Sequence, residues 1–429
     1  MVLYTILIRH IFMKKTPNKY IGHVKECQVC KSKNLKQFLS LGHHAVPQEY
    51  LTKERLEEME ATYPLNMVFC GECSLVQIDY VVPPEIVFPP DYPYRTGLTN
   101  MLIRNFQSLA DTLEKEGYVK KNGLAVDIGS NDGTLLKPFK AKGMRVVGIE
   151  PTGAADIANK NGIPTVKSFL SKETVSKIIK KYGPADIVTA TNVFAHINDT
   201  DSLVNNVKNL LAKDGVFVSE SQYLMDIMEH LEFDTVYHEH LRFYALKPLK
   251  RLFEKARFSI IDAERISAAG GSIRIYTKKG KHSMSARVKK LIADEEKAGL
   301  YDFKTYQTFA KKIMKAKQDL LSLLLELKKE GASIAGMTSS CRSNTLLRFM
   351  NITNDILDYT GEKRGSPKIG MFTPGTHIPV VDEERIIKEQ PEYLLMLSWH
   401  IGEELVKIMK KLGYRGKFII PLPTPKVID

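Results

Sequence analysis

Between Phe233 and Leu246 the chain reads FDTVYHEHLRFYAL, which sets Tyr237, His238, Glu239 and His240 side by side between apolar flanks. Each of these side chains can give or take a proton, so the quartet suits general acid–base work. Imidazole is the member best matched to neutral pH, because an unperturbed pKa of about 6.5 leaves it mostly neutral and able to accept. In an extended segment Tyr237 and Glu239 would share one side and the two histidines the other. A metal held by His238 and His240 would need a third ligand, and none is obvious nearby. The competing reading is a polar loop satisfied by water and backbone.

Four of the five cysteines form two pairs, Cys27 with Cys30 in CQVC and Cys70 with Cys73 in CGEC. Each C-x2-C places two thiolates on one tight turn, and two such turns complete the tetrahedral S4 shell favoured by Zn2+. The alternatives are a disulfide pair or unrelated thiols. A closed four-sulfur site leaves no open position, so one structural zinc per chain would brace the fold without taking part in chemistry. The stretch between the pairs is longer than in a minimal zinc ribbon and is expected to carry secondary structure of its own. The fifth, Cys341, reads as an ordinary buried thiol.

A third constellation lies in LAVDIGSNDGTLLKPF, where a strand is expected to end at Ile128 and a helix to begin near Asp132. Gly129, Ser130, Asn131, Asp132 and Gly133 form a turn whose glycines permit close approach of backbone to a ligand. Glu150 closes the next strand, RVVGIE, where a carboxylate can accept both ribose hydroxyls of an adenosine. The turn lacks the clustered glycines of G-x-G-x-x-G that pyrophosphate prefers. A ligand with adenosine and no pyrophosphate, S-adenosylmethionine, is therefore favoured over NAD. Asn192 ends a further strand at the edge where ligands of open α/β sheets bind, and His196 falls in the same loop.

The elements that must position these groups alternate. Short runs such as MRVVGIE, ADIVTATN and GVFVSES are separated by helix-like segments, which argues for a doubly wound α/β sheet closed by FSIIDAE and GGSIRIYTKK as an antiparallel pair. Before them, Pro83, Pro84, Pro89, Pro90 and Pro93 mark a connector without regular helix, ending at Tyr92 and Tyr94, and an amphipathic helix is expected from Leu98 to Glu116. Lysine-, leucine- and glutamate-rich helices are expected between Met284 and Gly331, and a second, smaller α/β unit follows. The resulting division is an N-terminal extension at 1–22, a zinc-binding domain at 23–90, a nucleoside-binding α/β domain at 91–283, and a helical connector with a C-terminal Rossmann-like domain at 284–429.

Composition narrows the class further. The chain has 429 residues, too many for one hydrophobic core of ordinary size. With 43% hydrophobic and 26% charged residues and no run of about 18 apolar residues, it reads as globular, without a membrane span, and cytoplasmic. The apolar opening MVLYTILIRHIFMKK has its basic residues after the apolar run, the wrong order for a secretory signal, and Met13 is a candidate start. The net charge of +13 suits either a nucleic acid or an anionic small molecule. The lysines are spread over amphipathic segments, no aromatic-basic stacking motif stands out, and KERLEEMEA is acidic, which together weigh against nucleic acid.

VDIGSNDGTLL, VVGIEPT, NVFAHI, FDTVYHEHLRFYAL and GGSIRIY occur in an order and spacing similar to those of the nucleotide-deoxysugar C-methyltransferases, the TDP-sugar 3-C-methyltransferase type. The N-terminal CQVC…LGHHAVPQEYL…YPLNMVFCGECSLVQ resembles that family's zinc-binding domain, and PGTHIPV and LLMLSWHIGEE resemble its C-terminal domain. The resemblance covers nearly all of the chain after about residue 25. It implies a zinc domain, an S-adenosylmethionine methyltransferase domain and a Rossmann-like C-terminal domain that helps hold a nucleotide-activated keto-deoxysugar. It implies methylation of a sugar carbon beside a ketone, with His240 as the base that removes the α proton. Tyr237, Glu239 and His196 would line the sugar site, with Tyr94 chosen over Tyr92 from the connector. Methylation of oxygen or nitrogen on a related sugar is the alternative, and a nucleic-acid methyltransferase a third, less favoured reading. The chain departs from the family where G-Y-G-A-x-x-K-G-N-T is usual: GMTSSCRSNT has Thr338, Arg342 and Ser343 at altered positions, and His400 stands where Asn is common. Whether the loop from Gly336 to Asn344 meets phosphate is therefore open.

Overall fold

A computed structural model describes residues 21–98 and 100–429. The apolar opening and the candidate start at Met13 lie outside the described residues. Runs that are buried on both faces, such as Leu124–Ile128, form a central sheet of seven strands. Its spatial order is Phe258–Ile266, Ser272–Lys279, Leu211–Gln222, Ala185–Thr191, Leu124–Ile128, Arg145–Glu150, Thr165–Lys167. The first five strands in chain order are parallel, and the last two form the expected antiparallel pair, with Ser272–Lys279 inserted against Leu211–Gln222. Leu124–Ile128 has Arg145–Glu150 on one side and Ala185–Thr191 on the other, so chain direction around the sheet reverses there. That reversal opens a crevice at the carboxyl ends of the strands.

A second Rossmann-like sheet of six strands runs Val380–Asp382, Thr360–Glu362, Ile334–Met337, Tyr393–Met396, Lys417–Ile420, Lys426–Ile428. All but the last are parallel. Val380–Asp382 and Lys426–Ile428 are too short to announce themselves as apolar runs. A third sheet, wholly antiparallel, has the order Arg242–Phe243, Val76–Ile78, Tyr63–Cys70, Leu35–His44. Three of its strands come from the cysteine-bearing region. The fourth is the pair of residues that closely follows His240, so the catalytic candidate is stitched onto the zinc-side sheet by backbone hydrogen bonds.

Local expectations fare differently. The helices Asn100–Lys115, Ala286–Lys297 and Phe303–Lys329 lie where their periodicity put them. The helix expected from Asp132 begins only at Leu136, because Asn131 and Gly133 adopt positive φ of 49° and 78°. The proline-rich connector does contain one helical turn, Pro84–Val87, contrary to the expectation of none. Pro84 sits at its first position, where the missing N–H costs nothing and the fixed φ is helical already.

One contiguous apolar core reaches from Cys27 to Leu422 and takes in residues of the three larger sheets. The long helix Phe303–Lys329 contributes Tyr306, whose ring lies 5.1 Å from those of both Phe38 and Phe69 on the zinc-side sheet. Its hydroxyl donates to the Leu300 carbonyl at 2.6 Å. Tyr306→Ala should cost about 3–5 kcal/mol, as for other buried aromatic rings, and lower a single cooperative melt. A separate early transition, with the main one unmoved, would show that the zinc-side sheet is an independent unit.

Candidate active site

The turn after Leu124–Ile128 is built by backbone conformation. Gly129 has φ of +69°, and a Cβ on it would lie 2.4 Å from Val193 Cγ2. The close approach that demands glycine here is thus made first by the protein's own Asn192–His196 loop. Gly133, at φ +78°, is packed against Ile163 in the same way. Ser130 is buried against Gly148, and its Oγ has no hydrogen-bond partner among the described residues. Asn192 adopts φ of 55° at the end of its strand and donates its N–H to the Glu220 carbonyl.

Glu150 is buried at the end of its strand, as expected. Its Oε1 accepts from Thr152 N at 2.9 Å and Thr152 Oγ1 at 2.6 Å, and its Oε2 accepts from Asn131 N at 3.0 Å. One lone pair therefore remains, on Oε2, for a ribose hydroxyl. A clamp on both hydroxyls requires the Thr152 hydroxyl to turn away. Asp127, beneath the turn, accepts from Thr189 Oγ1 at 2.7 Å, and burial pushes its carboxyl up to about 7.

Asn131 and Asp132 spend their side chains on a strap, residues 94–97. Asp132 Oδ1 accepts from Thr96 Oγ1 at 2.8 Å and Thr134 Oγ1 at 2.6 Å, and Oδ2 accepts from Gly97 N at 3.0 Å. Asn131 accepts from Thr96 N at 3.0 Å and donates to the Tyr94 carbonyl at 3.1 Å. Thr96 and Thr152 carry no sequence signal, since each acts only through the partner that folding brings to it. The remaining features fit an adenosine-bearing cofactor without pyrophosphate: a left-handed turn, an unsatisfied Ser130 hydroxyl, and an acidic residue with a lone pair to spare.

Beside this crevice, Tyr237–His240 form a tight turn in which His240 N donates to the Tyr237 carbonyl at 2.9 Å. The segment is not extended, so the alternation expected for a strand does not hold. Tyr237 and His240, three apart, come together with ring centroids at 4.0 Å, whereas His238 turns away to the Pro64 carbonyl at 3.1 Å. A shared metal site for the two histidines is thereby excluded. His240 Nδ1 lies 2.7 Å from the Thr235 carbonyl. A carbonyl can only accept, so Nδ1 holds the proton and Nε2 the lone pair. Burial lowers the His240 pKa to about 4, aided by the Arg342 charge, so the ring is neutral.

The other candidates surround this ring. His196 is tilted over it at 5.0 Å and stacks on Phe88 at 5.7 Å; burial and His240 hold His196 well below the usual histidine range. Glu239 is buried and its carboxyl is pushed up to about 7 by that burial. It accepts from Tyr92 Oη at 2.9 Å, with Cys341 Sγ at 3.7 Å from its other oxygen. The connector tyrosine that hydrogen-bonds the quartet is Tyr92, held edge-on by Phe88 at 5.5 Å, while the Tyr94 hydroxyl is raised by burial and by the Cys341 and Glu239 groups beside it. Burial raises the Tyr237 hydroxyl well above its ordinary value, so it stays protonated.

The altered C-terminal loop is occupied by protein partners. Arg342 pairs with Asp234 and Glu232, Asn344 Nδ2 donates to the Pro47 carbonyl, and the Ser339 carbonyl receives Tyr50 Oη and Lys368 Nζ. Arg342 is thus committed to carboxylates of the turn that precedes the quartet.

The four paired cysteines converge, their sulfurs all within 4.8 Å of one another. Cys27 and Cys73 sulfurs are 3.5 Å apart, as are those of Cys30 and Cys70. A tetrahedron of ~2.3 Å zinc–sulfur bonds has edges of about 3.8 Å, so the donor set fits zinc.

Comparison with known proteins agrees with this arrangement. Residues 27–88 match a zinc binding domain family, 100–263 a methyltransferase domain family, and 267–423 the C-methyltransferase C-terminal domain family. The C-methyltransferase NovU of Streptomyces niveus is 29% identical over 410 residues, 95% of this chain and 97% of the relative. The chain carries in turn the zinc binding, methyltransferase and C-methyltransferase C-terminal domains, as matched along its length. It is an S-adenosylmethionine-dependent methyltransferase with a structural zinc. An uncharacterized methyltransferase of Alkaliphilus oremlandii is 26% identical over 35% of this chain and 70% of its own length. A magnesium protoporphyrin IX methyltransferase of Synechocystis PCC 6803 is 12% identical over 42% of this chain and 84% of its own, at a TM-score of 0.34, too slight a likeness to argue from. Among the described residues no helix is long and apolar enough to cross a membrane.

Glu150→Ala should weaken S-adenosylmethionine binding by about ten- to a hundredfold, the order of about 1–3 kcal/mol for a lost buried acceptor. Calorimetric titration measures it; unchanged affinity would move Glu150 to a purely structural role on Asn131 and Thr152.

Proposed function

We propose that this C-methyltransferase acts on a nucleotide-activated keto-deoxysugar, with His240 as the base that takes the proton α to the ketone. The observation that carries the proposal is the Thr235 carbonyl on His240 Nδ1, which leaves Nε2 as a bare acceptor in a buried site. Carbon is a poor nucleophile until its proton is removed. As the C–H bond breaks, its proton goes to Nε2 and its electron pair moves through the α carbon to the carbonyl oxygen, giving an enolate. The enolate carbon then uses that pair to form the new carbon–carbon bond. Bound S-adenosylmethionine supplies a methyl group on a sulfonium, a leaving group that departs as a neutral thioether.

The energetics assign work to the neighbours. A base with a pKa near 4 instead of 6.5 makes proton transfer costlier by about 3 kcal/mol. That deficit must be offset where negative charge develops, at the enolate oxygen. Tyr237 is the donor in place for it: its ring lies on His240, and it remains protonated at every working pH. Glu239, with Tyr92 on one oxygen, supplies an acceptor for a sugar hydroxyl, and His196 a neutral wall against the base.

Two measurements test the reading. Incubated in deuterated water with keto-sugar nucleotide, the enzyme should wash deuterium into the α carbon, and His240→Ala should stop both exchange and turnover while leaving S-adenosylmethionine affinity within about twofold. Methyl found on oxygen or nitrogen, without exchange at carbon, would replace this mechanism with heteroatom methylation. The second measurement is pH dependence. A lowered histidine pKa keeps the base neutral as pH falls through 6.5, so its acid limb in kcat/KM should lie nearer 4, and the ionisation near 7 should belong to Glu239. An inflection at 6.5 that survives Glu239→Gln would show that the base is not the buried, neutral imidazole described above.

A further inference from the structure

Asp234 lies one residue before Thr235, whose carbonyl sets the His240 tautomer, and its side chain is fully buried. Three donors from the C-terminal unit converge on its carboxylate. Arg342 Nε reaches Oδ2 at 3.1 Å, Arg342 Nη2 reaches Oδ1 at 2.8 Å, and Trp399 Nε1 reaches Oδ2 at 2.9 Å. The remaining Arg342 nitrogen, Nη1, lies 3.3 Å from Glu232 Oε2. The guanidinium therefore holds the one-turn helix Phe233–Thr235 at both its flank and its centre. Thr345, one helical turn further on, donates to the Val236 carbonyl at 3.1 Å. From the opposite side, the Thr235 hydroxyl donates to Gln222 at the end of its central strand.

We infer that Arg342 is a positioning residue for His240: its fork on Asp234 holds the Thr235 carbonyl against Nδ1, and so keeps Nε2 the unprotonated nitrogen. The inference rests on the reading of His240 as the base. Arg342 itself touches neither substrate nor cofactor in this arrangement, since its nitrogens are committed to two carboxylates. A lysine offers a point charge without a planar fork and could not fix both oxygens of Asp234 at once. The groups facing His240 are Tyr237, His196 and Phe243, with Arg342 acting as a charge at longer range. None of these besides the Thr235 carbonyl hydrogen-bonds Nδ1, so the tautomer depends on that one contact.

The test is nitrogen-15 NMR of the full-length, zinc-loaded enzyme labelled at histidine, with His240 assigned by its loss in His240→Ala. The resting enzyme should show a protonated Nδ1 and a bare Nε2. Arg342→Lys keeps the charge and guards against unfolding, and Trp399→Phe removes one donor from the same carboxylate. Both variants should mix the His240 tautomers and lower kcat by on the order of ten- to a hundredfold, the usual effect of losing an orienting partner, with KM for the cofactor unchanged. An undisturbed His240 spectrum in both variants overturns the inference whatever happens to kcat. If His240→Ala retains turnover, the assignment of the base fails instead, and the tautomer spectrum still decides whether Arg342 positions the ring.

Discussion

Arg242 is 1% exposed, and its guanidinium donates to Tyr244 Oη, to the Gln28 side chain, and to the carbonyls of Phe194 and Ile197. Gln28 sits between Cys27 and Cys30, and Phe194 and Ile197 flank the loop that carries His196. One buried cation thus joins the zinc knuckle, the end of the central sheet and the strand that follows His240. Its charge meets only neutral acceptors in these bonds. Such a group is tolerable in the interior because its hydrogens find oxygens, and its loss would strand several buried carbonyls. The same knot is tightened by Thr200 Oγ1 on the Gln28 carbonyl at 2.6 Å and by Gln28 N on the Gln77 side chain at 2.8 Å.

The zinc-side sheet therefore acts as scaffolding for the candidate site as well as a folding unit. Ile78 donates to the Leu241 carbonyl, Leu241 donates to the Ala195 carbonyl, and Arg242–Phe243 complete the sheet edge. His240 and His196 are held on either side of that seam. From the other direction the C-terminal unit grips the turn through Arg342, Trp399 and Thr345. Enclosure from three sides accounts for the electrostatics. His196, His238 and His240 are all lowered and Glu239 is raised, each chiefly by burial, so the site presents neutral acceptors and protonated hydroxyls.

Much of this architecture could be read along the chain. Strand-helix alternation gives both α/β units because buried parallel strands must be continuous apolar runs. The C-x2-C pairs give the zinc site because two-residue spacing is set by one turn and needs no long-range information. YHEH marks a candidate site because adjacent proton carriers are costly to bury, and three of the four, Tyr237, Glu239 and His240, do cluster, whereas His238 is used on the Pro64 carbonyl. Three local inferences failed for identifiable reasons: the quartet is a turn and not a strand, the prolines admit a helical turn at its first position, and positive φ at Asn131 and Gly133 delays the helix after Leu124–Ile128 to Leu136.

The sequence by itself determined which residues could do chemistry and which segments would form sheets, because residue type and short-range periodicity are local properties. Tertiary structure alone decided which partners those residues meet. It chose Tyr92 over Tyr94 for Glu239, drew Arg342 to Asp234, committed Asp132 to the strap, and assigned the His240 proton to Nδ1. Each of those contacts joins groups far apart in the chain or set by a turn's backbone. Hydrogen-bond geometry over such separations is fixed by packing, which no spacing along the chain records.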